Sequence, residues 1–162
     1  MKDHIRDYST AAFRFWARWG GKENYIDNLS ADLQRKRGVG ACSPTEAELV
    51  KKEQLLAEKF AEIADLEAVE KVLDICERHY PEVRQAVEIV YLDKPFQDLE
   101  WGDIKKRVHY AEIHMPASER QVYRWLKKAR MLFAEERGLR LWGDPKKVES
   151  RKGVKNSESN TA

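Results

Sequence analysis

The chain has 162 residues, 42% hydrophobic and 36% charged, with a net charge of +2. This is enough for one well-buried core or two small helical units sharing an interface, and 8 Gly with 5 Pro favour helices over a turn-rich β-fold. No apolar run approaches the roughly 18 residues of a membrane span, the N-terminus MKDHIRDYST lacks the apolar stretch of a secretory signal, and two cysteines, Cys42 and Cys76, are too few for a disulfide framework. An all-α, soluble, intracellular protein without a membrane partner is the expectation.

In chain order, residues 4–19 are predicted to be a helix, with Ile5, Tyr8, Ala12, Phe15, Trp16 and Trp19 near a 3.6-residue spacing and Gly20-Gly21 as its stop. Arg14 and Arg18 lie among its aromatics. Such a mixture can stack on nucleic acid, but on an amphipathic helix it is more commonly a core or interface face with snorkelling arginines. A second helix is expected over Lys22–Lys36, then a loop over 37–42. Ser43-Pro44-Thr45-Glu46 combines an N-cap serine, a proline at the first helical position and a glutamate three residues on, the signature of a capping box. From there a single long helix of bundle or dimerisation type is expected to run to Glu77 or Arg78. Pro81 opens the next helix, with Val83, Ala86, Val87, Val90 and Tyr91 on one face. After the turn Asp93-Lys94-Pro95, a helix is predicted from Asp98 or Glu100, with Trp101, Ile104 and Val108 facing inward. Residues 109–117 read as irregular. Ser118 caps the last major helix, in which Val122, Leu126, Ala129 and Phe133 form a buried stripe and Gly138 is the stop.

The charge is unevenly spread. Residues 118–162 carry 12 basic and 6 acidic side chains, whereas residues 41–80 carry 5 and 10. Asymmetry of this kind points to a polyanion partner, although solvated faces and tails produce it too. Within the helix from Ser118, Arg120, Arg124 and Lys127 follow i, i+4, i+7 and so share one side. Glu119 is the only acid among its first thirteen residues. The major groove of DNA admits one α-helix, whose N-terminal residues meet base edges while cations along it meet phosphates. Arg120, Gln121 and Arg124 have the chemistry to read bases, because Arg pairs with guanine O6/N7 and Gln with adenine N6/N7. Ser118, Lys127, Lys128 and Arg130 are assigned to phosphates.

The stretch Ser118-Glu119-Arg120-Gln121-Val122-Tyr123-Arg124-Trp125-Leu126-Lys127-Lys128-Ala129 resembles the recognition helix of region 4 of bacterial sigma factors. In that module a serine opens the helix, a valine four residues on packs inward and an alanine closes the motif; here those places fall on Ser118, Val122 and Ala129. Residues 81–140 as a whole resemble the small sigma-like regulators of Gram-positive phages and prophages, the group of RinA- and ArpU-type late-gene activators. The polar, basic composition from about Asp144 predicts a disordered tail (143–162), and residues 1–80 are expected to form an N-terminal helical assembly or partner-contact region; the resemblance implies a helix-turn-helix DNA-binding domain (81–142). The resemblance also implies double-stranded DNA and RNA polymerase as partners and a place in the cytoplasm of a bacterial host, and homodimerisation through the N-terminal helices is expected because a lone helix-turn-helix contacts few bases. The turn before Ser118 reads as longer than in sigma region 4, and nothing matches the sigma region that binds the −10 element.

Other chemistry finds less support. Cys76-x-x-His79 has no second pair at zinc-ligand spacing, and His109 and His114 lack an HExxH pattern. No glycine loop for phosphate and no nucleophile–base–acid set is present, so no enzyme, cofactor or metal site is expected. Two alternatives to a transcriptional regulator are a small terminase subunit and a helical protein-interaction module that does not bind DNA.

Overall fold

The structure, a computed structural model, describes residues 3–36 and 46–139. These form seven α-helices: α1 (His4–Trp19), α2 (Lys22–Lys36), α3 (Glu46–Glu58), α4 (Phe60–His79), α5 (Pro81–Val87), α6 (Asp103–His114) and α7 (Glu119–Arg137). A π-helical turn over Glu88–Leu92 continues α5. No strand occurs among the described residues, and none of their helices is long and apolar enough to cross a membrane. The fold is all-α. Residues 37–42, the Ser43-Pro44-Thr45 part of the expected cap and the expected tail 143–162 lie outside the described residues.

Local chemistry sets most helix ends. Asp3 accepts the Arg6 amide at 3.0 Å to start α1, and Gly20 closes it at φ 70°, where a side chain would be strained. Pro81 occupies the first turn of α5, where its missing N–H costs nothing. Ser118 accepts the Gln121 amide at 3.3 Å, and Gly138 ends α7 at φ 68°.

One core runs through the molecule. Ala12 and Phe13 of α1, Val69, Val72 and Cys76 of α4, Val83, Ala86 and Val87 of α5, Val108 and Ala111 of α6, and Val122, Leu126, Ala129 and Phe133 of α7 all belong to it. The core therefore crosses the 80/81 position, and α7 packs against α1, α4, α5 and α6 alike. Phe13 lies between Tyr91 and Phe133, with ring centroids 5.7 and 5.9 Å away. By contrast α3 buries none of its residues and leaves Leu49 and Val50 exposed.

Several sequence expectations change. The single helix expected up to Glu77 or Arg78 is interrupted at Lys59, whose ψ of 11° departs from the α-helix, although the bonds Lys59 N–H to Leu55 O and Ile63 N–H to Lys59 O, both 3.0 Å, carry the path across the break. The sixth helix starts at Asp103, because Gly102 sits at φ 87°, a conformation no helix interior accepts. Trp101, expected inside, is consequently fully exposed, while Ile104 packs on the core and Val108 is buried. Residues expected to be irregular are helical as far as His114. On α1 the buried residues are Ser9, Ala12, Phe13 and Arg14, while Phe15 and Trp16 are half-buried and Tyr8 and Trp19 sit at the exposed margin.

Arg14 is not a snorkelling surface residue. It is 4% exposed, and its guanidinium donates to the carbonyls of Tyr91 (3.1 Å), Lys94 (3.1 Å), Pro95 (3.4 Å) and Gln97. Arg107 adds bonds to the carbonyls of Val90 (3.0 Å) and Asp93 (2.6 Å), and Arg18 one to Pro95 (2.8 Å). The last carbonyls of a helix have no partner within it. Here Arg107 and Arg14 satisfy those of Val90 and Tyr91, which also suits the negative end of the helix dipole, and the remaining bonds hold the turn that follows.

Candidate nucleic-acid interface

The α6–turn–α7 unit is assembled from two amphipathic faces. Val108, Ala111 and Met115 on one side meet the wholly buried stripe Val122, Leu126, Ala129 and Phe133 on the other. Four residues, Met115 to Ser118, make the connection. Met115 leaves the helical region at φ −119°, ψ 144°, as expected for a residue that precedes a proline, and its side chain anchors the turn in the core. The expected long, irregular connection is thus a short turn.

With the stripe fixed inward, the 100° rotation per residue sends Arg120, Arg124 and Lys127 to the opposite side of α7. All three are exposed, and among the described residues none of them has a hydrogen bond or ion pair. On α4 and α5 several cations are compensated along the chain: Lys71 by Glu67 at 3.5 Å, Arg78 by Asp74 at 3.3 Å and Arg84 by Glu88 at 3.7 Å. Helix α7 lacks such partners on its outer face, and its N-terminal end adds the positive pole of the helix dipole. The result is a one-sided cationic ridge on a rigid support. Gln121 is half-buried beside the ridge, and Ser118 is exposed but committed to capping.

The remaining two candidates are placed differently. Lys128 is exposed and its ammonium lies 4.9 Å from the centre of the Tyr80 ring, a cation–π contact that holds it near the junction of α4 and α5. Arg130 is half-buried and donates to the Tyr91 hydroxyl at 2.9 Å. It is anchored inward, away from the ridge formed by Arg120, Arg124 and Lys127. Tyr80 and Tyr91, which position these two cations, are residues that sequence periodicity gave no reason to connect with α7.

The far end of α7 is pinned as well. Arg137 and Asp65 are 2.6 Å apart, and the Tyr8 hydroxyl bonds the same carboxylate at 2.7 Å, joining α1, α4 and α7. Burial, then Asp65, pushes the Tyr8 phenol above its ordinary value, and the bond to Asp65 raises Arg137. Cys76 is buried, which pushes its thiol up, while His79 is exposed against Tyr80. A buried, protonated thiol is a core residue and a poor metal ligand.

No protein-family model, curated protein or solved structure matches the chain.

Proposed function

We propose that the protein is a sequence-specific regulator that binds double-stranded DNA, with α6–turn–α7 acting as a helix-turn-helix and α7 as the reading helix. The observation that carries this reading is the division of α7 into a fully buried stripe and an opposite face of uncompensated cations. Arg120, Gln121 and Arg124, near the N-terminal end, read base edges; Lys127, Lys128 and the Ser118 end of the helix meet phosphates. The likeness of residues 81–140 to small sigma-like phage regulators favours a phage or prophage setting, and that of residues 118–129 to sigma region 4 favours contact with RNA polymerase. Self-association through the N-terminal helices is favoured by Leu49, Val50 and Phe60, three apolar side chains left at the surface.

A random-duplex selection tests the specific part of this reading. Enrichment of one short motif supports it; a pool that stays random after several rounds contradicts it. The same exposed apolar residues would also suit a packaging ring, so the mass of the free protein separates the two DNA readings. A monomer or dimer supports regulation, and a ring of eight or more chains supports a small terminase subunit.

A further inference from the structure

The turn between α6 and α7 brings three metal-ligating side chains together. His109 and Glu112 stand one helical turn apart on the exposed side of α6, and Glu119 is the first residue of α7. One ligand atom from each lies within 4.8 Å of the others, and His109 Nδ1 is 3.5 Å from Glu112 Oε2. Two donors bound to one tetrahedral ion at about 2.1 Å are about 3.4 Å apart, so the helical pair already has a ligand spacing.

Each residue has an ordinary use by itself. A glutamate in a first turn suits the helix dipole, and a His–Glu pair at i, i+3 gives modest support to a helix. Neither explains why a second carboxylate converges on the pair from another helix. Among the described residues no lysine or arginine forms an ion pair with Glu112 or Glu119. Two carboxylates crowded beside one imidazole leave a local excess of negative charge, which a divalent cation would neutralise.

We propose that His109, Glu112 and Glu119 bind a divalent transition-metal ion of the zinc or cobalt class, which pins α6 to α7 across the turn. One imidazole nitrogen and two carboxylate oxygens form a mixed set that suits such ions better than magnesium, which prefers oxygen alone and keeps most of its water. Three protein ligands leave the rest of the coordination sphere to water. The ion fixes the angle between the two helices whatever α7 binds, so this site stands or falls independently of the DNA reading.

Titration of the chelator-treated full chain with zinc chloride, followed by calorimetry, tests the proposal. Binding of one ion per chain is expected, together with a rise in the thermal midpoint. His109→Ala and Glu119→Gln are each expected to weaken binding by at least about tenfold, a loss that even outer-shell partners produce. His79→Ala, far along the chain, leaves it unchanged. Cobalt in place of zinc gives visible absorption bands that Glu119→Gln alters. The three side chains are at or near the surface, so circular dichroism should show native helix content in each variant; should one misfold, Glu112→Gln takes its place. Absence of saturable binding, or binding indifferent to Glu119→Gln and His109→Ala, overturns the site.

Discussion

Arg130 and Tyr91 are joined by a hydrogen bond of 2.9 Å between α7 and the π-helical end of α5. The bond divides the cations of α7 by role. Arg120, Arg124 and Lys127 stay free on the outer face, whereas Arg130 holds the helix to the body of the protein and satisfies the hydroxyl of a tyrosine that is 1% exposed.

Replacement of Arg130 by Ala should therefore act on stability before it acts on binding. Loss of one bond to a buried hydroxyl costs about 1–2 kcal/mol. Urea unfolding is expected to show that loss, with Tyr91→Phe showing a similar one, while duplex affinity measured on the folded fraction shifts less than about threefold. A large affinity loss with unchanged stability would instead make Arg130 a phosphate contact.

Arg14 makes the costlier connection. Arg14→Met keeps the aliphatic volume but leaves the Tyr91 carbonyl and its neighbours without their donor, so a destabilisation on the order of 3 kcal/mol is expected. The 93–97 turn should lose amide-exchange protection first, because Arg14 and Arg18 hold its carbonyls. A variant as stable as the parent would contradict this role.

A pH dependence follows from Tyr25, which is 3% exposed and bonded to Glu62. Burial, and then the carboxylate, raise its phenol above the ordinary value of 10.0. The folded state thus keeps a proton that the unfolded chain releases near pH 10, so stability from this group is complete below that pH and falls above it. Tyr25→Phe should be about 1 kcal/mol less stable at pH 8 and should lose less stability than the parent between pH 8 and pH 10.5. Parallel losses in the two proteins would remove Tyr25 from the account.

Trp101 supplies a contrast with sequence periodicity. As a fully exposed side chain it contributes little to folding, and Trp101→Ala is expected to change unfolding free energy by no more than about 0.5 kcal/mol. A loss of several kcal/mol would restore it to the core.

These cases show which parts of the structure a linear reading reaches. Helix α7 was legible throughout, because Ser118, Gly138 and the stripe Val122 to Phe133 are all local signals along one element. The helix over residues 4–19 was legible for the same reason. The inward face of α1 was not, since the need for Arg14 arises from carbonyls 77 to 83 residues away. Trp101 fell at a helical spacing from Ile104 and Val108, and only the positive φ of Gly102 excludes it from that helix. The ridge residues Arg120, Arg124 and Lys127 could be aligned from sequence, but their lack of partners and the inward anchoring of Arg130 depend on how α5 and α7 pack.

The central claim is that the outer face of α7 binds duplex DNA electrostatically and reads it through Arg120 and Arg124. Fluorescence anisotropy of a labelled duplex, with the parent chain and with Arg120→Ala/Arg124→Ala at about 50 and 200 mM salt, tests it most directly. The parent is expected to lose affinity on the order of a hundredfold between the two salt concentrations, as three or four phosphate contacts require. The double variant should bind at least about tenfold more weakly than the parent at low salt, with unchanged helix content. Binding that ignores salt and survives the double substitution would contradict the claim.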